Sequence, residues 1–140
     1  MGYRYIDMTT YKRKSHFEYF KELANPYVGV TVNVDITALL KKIKAENLPF
    51  FLTVCYCISR AANQIPEFRQ RIVDGRIIEY DDCPTSHTLA LEDGTYCYCT
   101  LSSSCPFNEY IQYAAQEQEK AKEAKSFEES EEEALDKIFV

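Results

Sequence analysis

The chain is poor in the residues that build the best-known phosphate and nucleotide loops. Its 140 residues contain no tryptophan, two methionines and four glycines. The glycines stand far apart, at Gly2, Gly29, Gly75 and Gly94. Neither a P-loop nor a dinucleotide-binding fingerprint is present, because both need clustered glycines. The G-x-S-x-G turn that presents a hydrolase nucleophile is missing as well.

The chain also lacks an excess of basic residues. Lysine and arginine number 16 against 22 acids, and the net charge is −6. Residues 126–137 hold six of the acids and one base, which predicts a solvated acidic loop beside a nearly neutral body. Nucleic-acid binding needs a basic face, so we expect no such partner. No apolar run approaches the roughly 20 residues of a membrane span, and no secretory-signal pattern opens the chain.

Six cysteines are present, and their spacing argues against a metal site. Cys55 and Cys57, like Cys97 and Cys99, are separated by one residue, whereas structural zinc sites usually place two to four residues between paired ligands. On a helix the first pair would point about 200° apart. On a strand the second pair shares a face and suits a small-residue core position. We predict free thiols and no metal, with a thiol or zinc protein as the weakest alternative.

Only two histidines could act as a general base, His16 and His87. Neither has a serine, cysteine or carboxylate at a known motif spacing, so the sequence assigns neither of them a catalytic role. Ordinary structural roles are expected for both.

Periodicity predicts helices and strands in alternation. Helices are expected from a cap at Thr9 or Thr10 to Asn25, from Asp35 to Asn47, from Phe50 to Ile65 and from Phe107 to Lys125. The third should bury one face composed of Phe51, Val54, Cys55, Ile58, Ala61, Ala62 and Ile65.

Strands are predicted by alternation and by turn residues. The clearest is Val28 to Val34, where every second residue is valine. Hairpins are expected around Asp74-Gly75 and around Glu92-Asp93-Gly94. The final Ile-Phe-Val at 138–140 is typical of the opening of a buried strand, so we expect the chain to be the front part of a larger protein.

Aromatic residues are the most suggestive candidates for a binding site. Tyr19, Phe20 and Tyr27 crowd one corner, and Tyr96 and Tyr98 share one face of a later strand. Aromatic walls with a polar tip suit a flat organic ligand. Core and edge packing is the alternative explanation.

Several short motifs, in the same order along the chain, resemble those of a known protein family. The resemblance begins with Tyr11-Lys12-Arg13-Lys14, Phe17, Phe20, Val34-Asp35-Ile36-Thr37 and Leu40. It continues through Pro49-Phe50-Phe51, Ala61-Ala62-Asn63, Phe68-Arg69, Asp74-Gly75 and Tyr80-Asp81. This arrangement resembles the N-terminal part of the chloramphenicol acetyltransferases. The likeness covers nearly the whole chain, which we treat as one domain, residues 1–140.

The resemblance implies an α/β two-layer sandwich with a mixed sheet, of the CoA-dependent acyltransferase type. It implies a cytoplasmic homotrimer that transfers acetyl from acetyl-CoA to a hydroxyl of chloramphenicol or a similar alcohol, an antibiotic-resistance activity. In that family a His-His-x-x-x-Asp-Gly motif supplies the base, and a serine after the strand that Ile138 begins supplies an oxyanion donor. This sequence contains no such histidine motif, so we expect the chain alone to be inactive.

Site residues carry over position by position. Arg13 matches an arginine that pairs with the aspartate of the histidine motif, so it should be an orphan here. Tyr19, Phe20 and Pro26 match positions lining the acceptor pocket, and Tyr98, with Tyr96 as the alternative, matches an aromatic wall. The family often has tyrosine at the position of Phe20 and a small or sulfur residue at that of Pro26, which leaves the acceptor open. A non-enzymatic ligand-binding or assembly module on the same layers is the competing function.

Overall fold

The computed structural model describes residues 2–127 and 130–140. Its main helices are α1 (Lys14–Phe20), α2 (Thr37–Ala45), α3 (Phe50–Asn63) and α4 (Phe107–Ala124), with a short α5 (Glu131–Ala134). Its strands are β1 (Tyr3–Tyr5), β2 (Gln70–Val73), β3 (Arg76–Tyr80), β4 (Thr85–Ala90), β5 (Tyr96–Leu101) and β6 (Ile138–Phe139).

Both predicted hairpins form, and each belongs to a three-stranded sheet. The first sheet has the order β1-β3-β2 and is antiparallel throughout. Its turn places Asp74 and Gly75 at φ angles of 49° and 72°, as a two-residue type I′ turn requires. The second sheet has the order β5-β4-β6, with β6 parallel to β4. This second sheet is therefore mixed, as expected.

The core lies between the second sheet and the helices α3 and α4. Its buried members are Leu52, Cys99, Leu101, Tyr110 and Ala114. They come from α3, β5 and α4, so burying them joins a helical layer to a sheet layer. The α/β sandwich predicted from the resemblance is confirmed.

The predicted strand at residues 28–34 is wrong. Residues 25–36 form neither helix nor strand. The valines there are among the most exposed apolar residues, with Val28 at 96% and Val30 at 88% relative exposure. Alternation predicts that a segment can pair, but a strand also needs a neighbouring backbone to bond with, and none of the strands in residues 2–127 and 130–140 pairs with this segment.

Two helices differ from their predictions. The first was expected to follow a cap at Thr9 or Thr10 and to end at Asn25, but it spans only Lys14–Phe20. Thr9 does not cap it, because its N–H and its hydroxyl donate to the Asp7 carboxylate, at 2.8 and 2.7 Å. Helix α3 buries Leu52, Thr53, Cys55 and Ser59, of which only Cys55 belongs to the face that was predicted to be buried.

The face of α3 that was predicted to be buried is partly open. Phe51, Ile58 and Ile65, which follows the helix, are each at least 40% exposed. Helix α3 therefore carries apolar side chains on more than one side, and those of Phe51 and Ile58 stay partly exposed.

The predicted acidic loop at 126–137 contains one ordered helical turn. The Ser130 hydroxyl accepts the Glu133 N–H at 3.2 Å, and the Glu133 carboxylate accepts the Ser130 N–H at 3.0 Å. This reciprocal capping box begins α5. Glu128 and Glu129, which belong to the same predicted loop, lie outside the described residues.

No helix within the described ranges is long and apolar enough to cross a bilayer.

Candidate functional site

A concave apolar surface gathers part of the predicted acceptor-binding set. Its volume is about 440 Å³, and its walls are Phe20, Leu23, Asn25, Pro26, Tyr27 and Val28. Tyr19 lies beside it, with its ring centroid 5.3 Å from that of Phe20 in an edge-to-face arrangement. The surface is built from the last residue of α1 and the segment that follows it, as far as Val28.

Tyr98 lies on a different part of the molecule. It stands on β5 with its ring centroid 5.8 Å from that of Tyr96, as their shared strand face predicts. Its backbone N–H donates to the Ser126 carbonyl at 3.1 Å. The structure therefore brings Tyr19, Phe20 and Pro26 together and leaves Tyr98 outside this surface.

Tyr27 contributes more than its place in the sequence suggested. It is 88% exposed and lies between two concave surfaces. One is the surface of Phe20 and Pro26, and the other, of about 650 Å³, includes Phe17, Ile72 and Leu135. Its place in the aromatic cluster beside Pro26 was the only sequence signal for this role.

Arg13 is not an orphan, contrary to the prediction. Its Nη1 lies 2.8 Å from the Oε1 of Glu67, in the 3₁₀ turn Pro66–Arg69. The two side chains are 62% and 46% exposed, and a pair so solvated contributes at most about 1 kcal/mol. Glu67 was missed because a pairing across more than fifty residues leaves no local pattern.

The two histidines occupy contrasting environments. His16 is exposed on α1. His87 is 3% exposed on β4, with its ring centroid 4.9 Å from that of Phe51. Its Nε2 lies 3.1 Å from the Nε2 of Gln118, and its Nδ1 has no hydrogen-bond partner within residues 2–127 and 130–140.

Burial lowers the pKa of His87 below its ordinary value, so the ring is neutral at physiological pH. Neither histidine lines the concave surface of Phe20 and Pro26.

Most of the thiols are buried. Burial raises the pKa of both Cys55 and Cys99 to about 11 and also raises that of Cys83. A protonated thiol is a poor nucleophile and a poor metal ligand, so these groups suit the core. Over the described part of the chain, no group of three or more histidine, cysteine or acidic side chains is arranged to hold a metal ion.

Comparison with known proteins gives a consistent result. The family model described as chloramphenicol acetyltransferase matches residues 1–138. A chloramphenicol acetyltransferase from Klebsiella sp is 34% identical over 88 residues, which are 63% of this chain and 40% of that protein. A second, from Proteus mirabilis, is 37% identical over 81 residues, 58% of this chain and 37% of its own length.

The fold agrees with these sequences. A solved chloramphenicol acetyltransferase superimposes with a TM-score of 0.78 and 31% identity, over 84% of this chain and 56% of the solved chain. The chain thus spans about half the length of the relatives it matches, or less. Since the family model covers nearly all of the sequence, this chain belongs to the chloramphenicol acetyltransferase family.

Proposed function

We propose that this chain is the acceptor-binding, N-terminal portion of a cytoplasmic O-acetyltransferase. The enzyme would transfer acetyl from acetyl-CoA to a hydroxyl of chloramphenicol or a similar alcohol. The observation that carries the proposal is the apolar concave surface of Phe20 and Pro26, flanked by Tyr19, in a chain of this family. Aromatic and apolar walls of this kind suit a flat, weakly polar acceptor.

The chemistry needs more than these walls. An alcohol becomes an effective nucleophile only as a base takes its proton, while its oxygen attacks the thioester carbonyl. The tetrahedral oxyanion needs a hydrogen-bond donor, and its collapse releases the CoA thiolate. His87 is enclosed beside Phe51 and Gln118, and His16 lies on an exposed helix face. Neither stands at the concave surface, which supports an inactive isolated chain.

Activity is tested by following thiol release from acetyl-CoA in the presence of chloramphenicol. We expect no turnover from the 140-residue protein. A chimera extended past Val140 with the C-terminal part of a matched relative should turn over. Phe20→Ala in the chimera should raise KM for the acceptor, whereas Phe127→Ala, at an exposed aromatic residue that does not line the concave surface, should leave it unchanged. Robust turnover by the short protein would refute the proposal.

Self-association is part of the same proposal. In an extended chain, alternate side chains lie on one side, and Val28, Val30, Val32 and Val34 are all at least 70% exposed. An apolar row of this kind beside unpaired backbone favours addition of a strand from another copy. The resemblance implies a homotrimer.

A pair of variants on this segment tests the association. Val32→Lys should shift the mass measured by light scattering toward the monomer. Thr31→Lys, one residue away and also exposed, adds the same charge on the alternate side and should leave the mass unchanged. Equal effects of both variants, or a monomeric wild type, would count against association through the valines.

The competing function is ligand binding or assembly without catalysis. The concave surface itself favours it, since binding needs only the walls. Calorimetry with chloramphenicol distinguishes the two functions when read beside the turnover assay. Tight binding by the short protein together with an inactive chimera would favour the binding module.

A further inference from the structure

The side chain of Arg71 joins two distant parts of the chain. It projects from β2 and is half-buried. Its Nε donates to the Leu135 carbonyl at 2.6 Å, and its Nη2 donates to the Lys137 carbonyl at 2.9 Å. These acceptors are 64 and 66 residues further along the chain.

The remaining terminal nitrogen of Arg71 bonds to residues that are close to it in the sequence. Nη1 donates to the Phe68 carbonyl at 3.0 Å and to the Gln70 carbonyl at 2.8 Å. Every acceptor is a backbone carbonyl, and no carboxylate forms a salt bridge with this guanidinium within the described residues. The planar guanidinium of Arg71 therefore fixes the main chain in two segments, at residues 68–70 and at residues 135–137. A lysine could not do this with one ammonium group.

The carbonyls that Arg71 holds lie immediately before β6. This strand has two residues, and it pairs in parallel with β4. Its register is marked by two hydrogen bonds, from Ile138 N–H to the Pro84 carbonyl at 2.9 Å and from Val140 N–H to the Ser86 carbonyl at 3.0 Å. So short a parallel ladder is weak by itself, and a slip by one residue would exchange the faces of its side chains.

We propose that Arg71 is a positioning residue that sets the register of β6 on β4. The fork holds the chain at Leu135 and Lys137, so Ile138 enters the ladder opposite Thr85 and not one residue away. Arg71 thereby ties the sheet β1-β3-β2 to the strand at the edge of the other sheet. One further consequence rests on the proposed function: in a longer, active protein, Arg71 also sets the position of the residues that follow β6.

Amide hydrogen exchange in the 140-residue protein tests the register. Arg71→Ala should speed exchange at Ile138 and Val140 by about ten- to a hundredfold, the range expected for losing charge-assisted hydrogen bonds. The amides that join β4 to β5 should keep their wild-type rates. Methylguanidinium added to Arg71→Ala should restore part of the lost protection. Arg60→Ala, on an exposed position of α3, is the matched control and should change nothing.

Arg71→Lys keeps the charge and removes the fork, so it should give an intermediate effect even if Arg71→Ala does not fold. Unchanged rates at Ile138 and Val140, or equal loss of protection across both sheets in both variants, would overturn the proposal.

A kinetic measurement separates this inference from the proposed function. In the extended chimera, Arg71→Ala should lower kcat while KM for acetyl-CoA stays close to wild type, because positioning is lost and binding is kept. An unchanged kcat would remove the link to catalysis. A wild-type chimera without activity would refute the proposed function, whereas the exchange rates would still decide the role of Arg71.

Discussion

The hydroxyl oxygens of Ser59 and Ser103 lie 2.7 Å apart, in a part of the interior where the two residues are 0% and 1% exposed. This bond ties α3 to the loop that precedes α4. Replacing either serine by alanine leaves the other hydroxyl buried without its partner, which costs about 1–3 kcal/mol. We expect the double variant to lose less than the sum of the two single losses, because it leaves no orphan group.

Urea denaturation of the wild type, both single variants and the double variant measures the coupling. Ser15→Ala, on the exposed surface of α1, is the control and should be nearly neutral. Additive losses would mean that the two hydroxyls do not depend on each other.

Tyr110 provides a prediction of opposite sign. The residue is 0% exposed in the core, and its hydroxyl has no hydrogen-bond partner within the described parts of the chain. An unpaired buried hydroxyl is unfavourable, so Tyr110→Phe should leave the free energy of unfolding unchanged or raise it by about 1 kcal/mol. Tyr113→Phe, on the same helix and partly exposed, is the comparison. A clear destabilisation specific to Tyr110→Phe would show that the hydroxyl has a partner.

Local patterns in the sequence predicted the elements whose cause is local. Asp74-Gly75 can adopt two consecutive positive φ angles, and the flanking residues pair across them. Helix α4 follows its predicted bounds within a residue, because its periodicity and its proline-led start lie within the segment itself. The sandwich itself followed from the family resemblance.

Features that depend on distant partners could not be predicted in this way. The valines at 28–34 have the alternation of a strand, but no strand in the described part of the chain pairs with them. The partner of Arg13 is Glu67, and the acceptors of Arg71 are more than sixty residues away. Periodicity states which residues could share a face, whereas the tertiary fold decides which face is covered.

Glu79 should make stability depend on acid pH. Its side chain is 7% exposed and accepts hydrogen bonds from Arg4 at 3.0 Å and from Gln70 at 3.1 Å. Burial pushes its pKa upward, but the bonds from Gln70 and Arg4 and the charges of Arg4 and Arg69 outweigh this, so the pKa lies below the ordinary 4.5. The resulting stabilisation is complete above about pH 4.5 and is lost as pH falls through the folded-state pKa.

Glu79→Gln tests this dependence. At neutral pH we expect it to lower the free energy of unfolding by about 1–3 kcal/mol, the range for losing hydrogen bonds to a charged group. Urea unfolding between pH 7 and pH 3 should show this difference shrinking below pH 4.5, while Glu46→Gln, in an exposed pair with Lys42, stays near wild type throughout. A difference that does not change with pH would mean that Glu79 stabilises the fold by packing alone.

His87 acts in a higher pH range. Burial lowers its folded-state pKa below the ordinary 6.5. Just below pH 6.5 the unfolded chain therefore binds a proton at His87 more readily than the folded chain does. His87 therefore has no effect well above pH 6.5, and it destabilises the fold progressively as pH falls below that value. The slope of the free energy of unfolding against pH that His87 contributes stays at or below about 1.4 kcal/mol per pH unit, the limit for one proton.

Replacing His87 by Gln removes the titrating group and keeps a side chain that can hydrogen-bond to Gln118. Its free energy of unfolding should be nearly independent of pH between 6.5 and 5, where that of the wild type falls. His16→Gln, the same substitution at an exposed position of α1, is the matched control variant. The effect of Glu79 begins only below about pH 4.5, so one urea series across the full range resolves both groups. If the wild type and His87→Gln lose stability in parallel between pH 6.5 and 5, the buried neutral state of His87 is wrong.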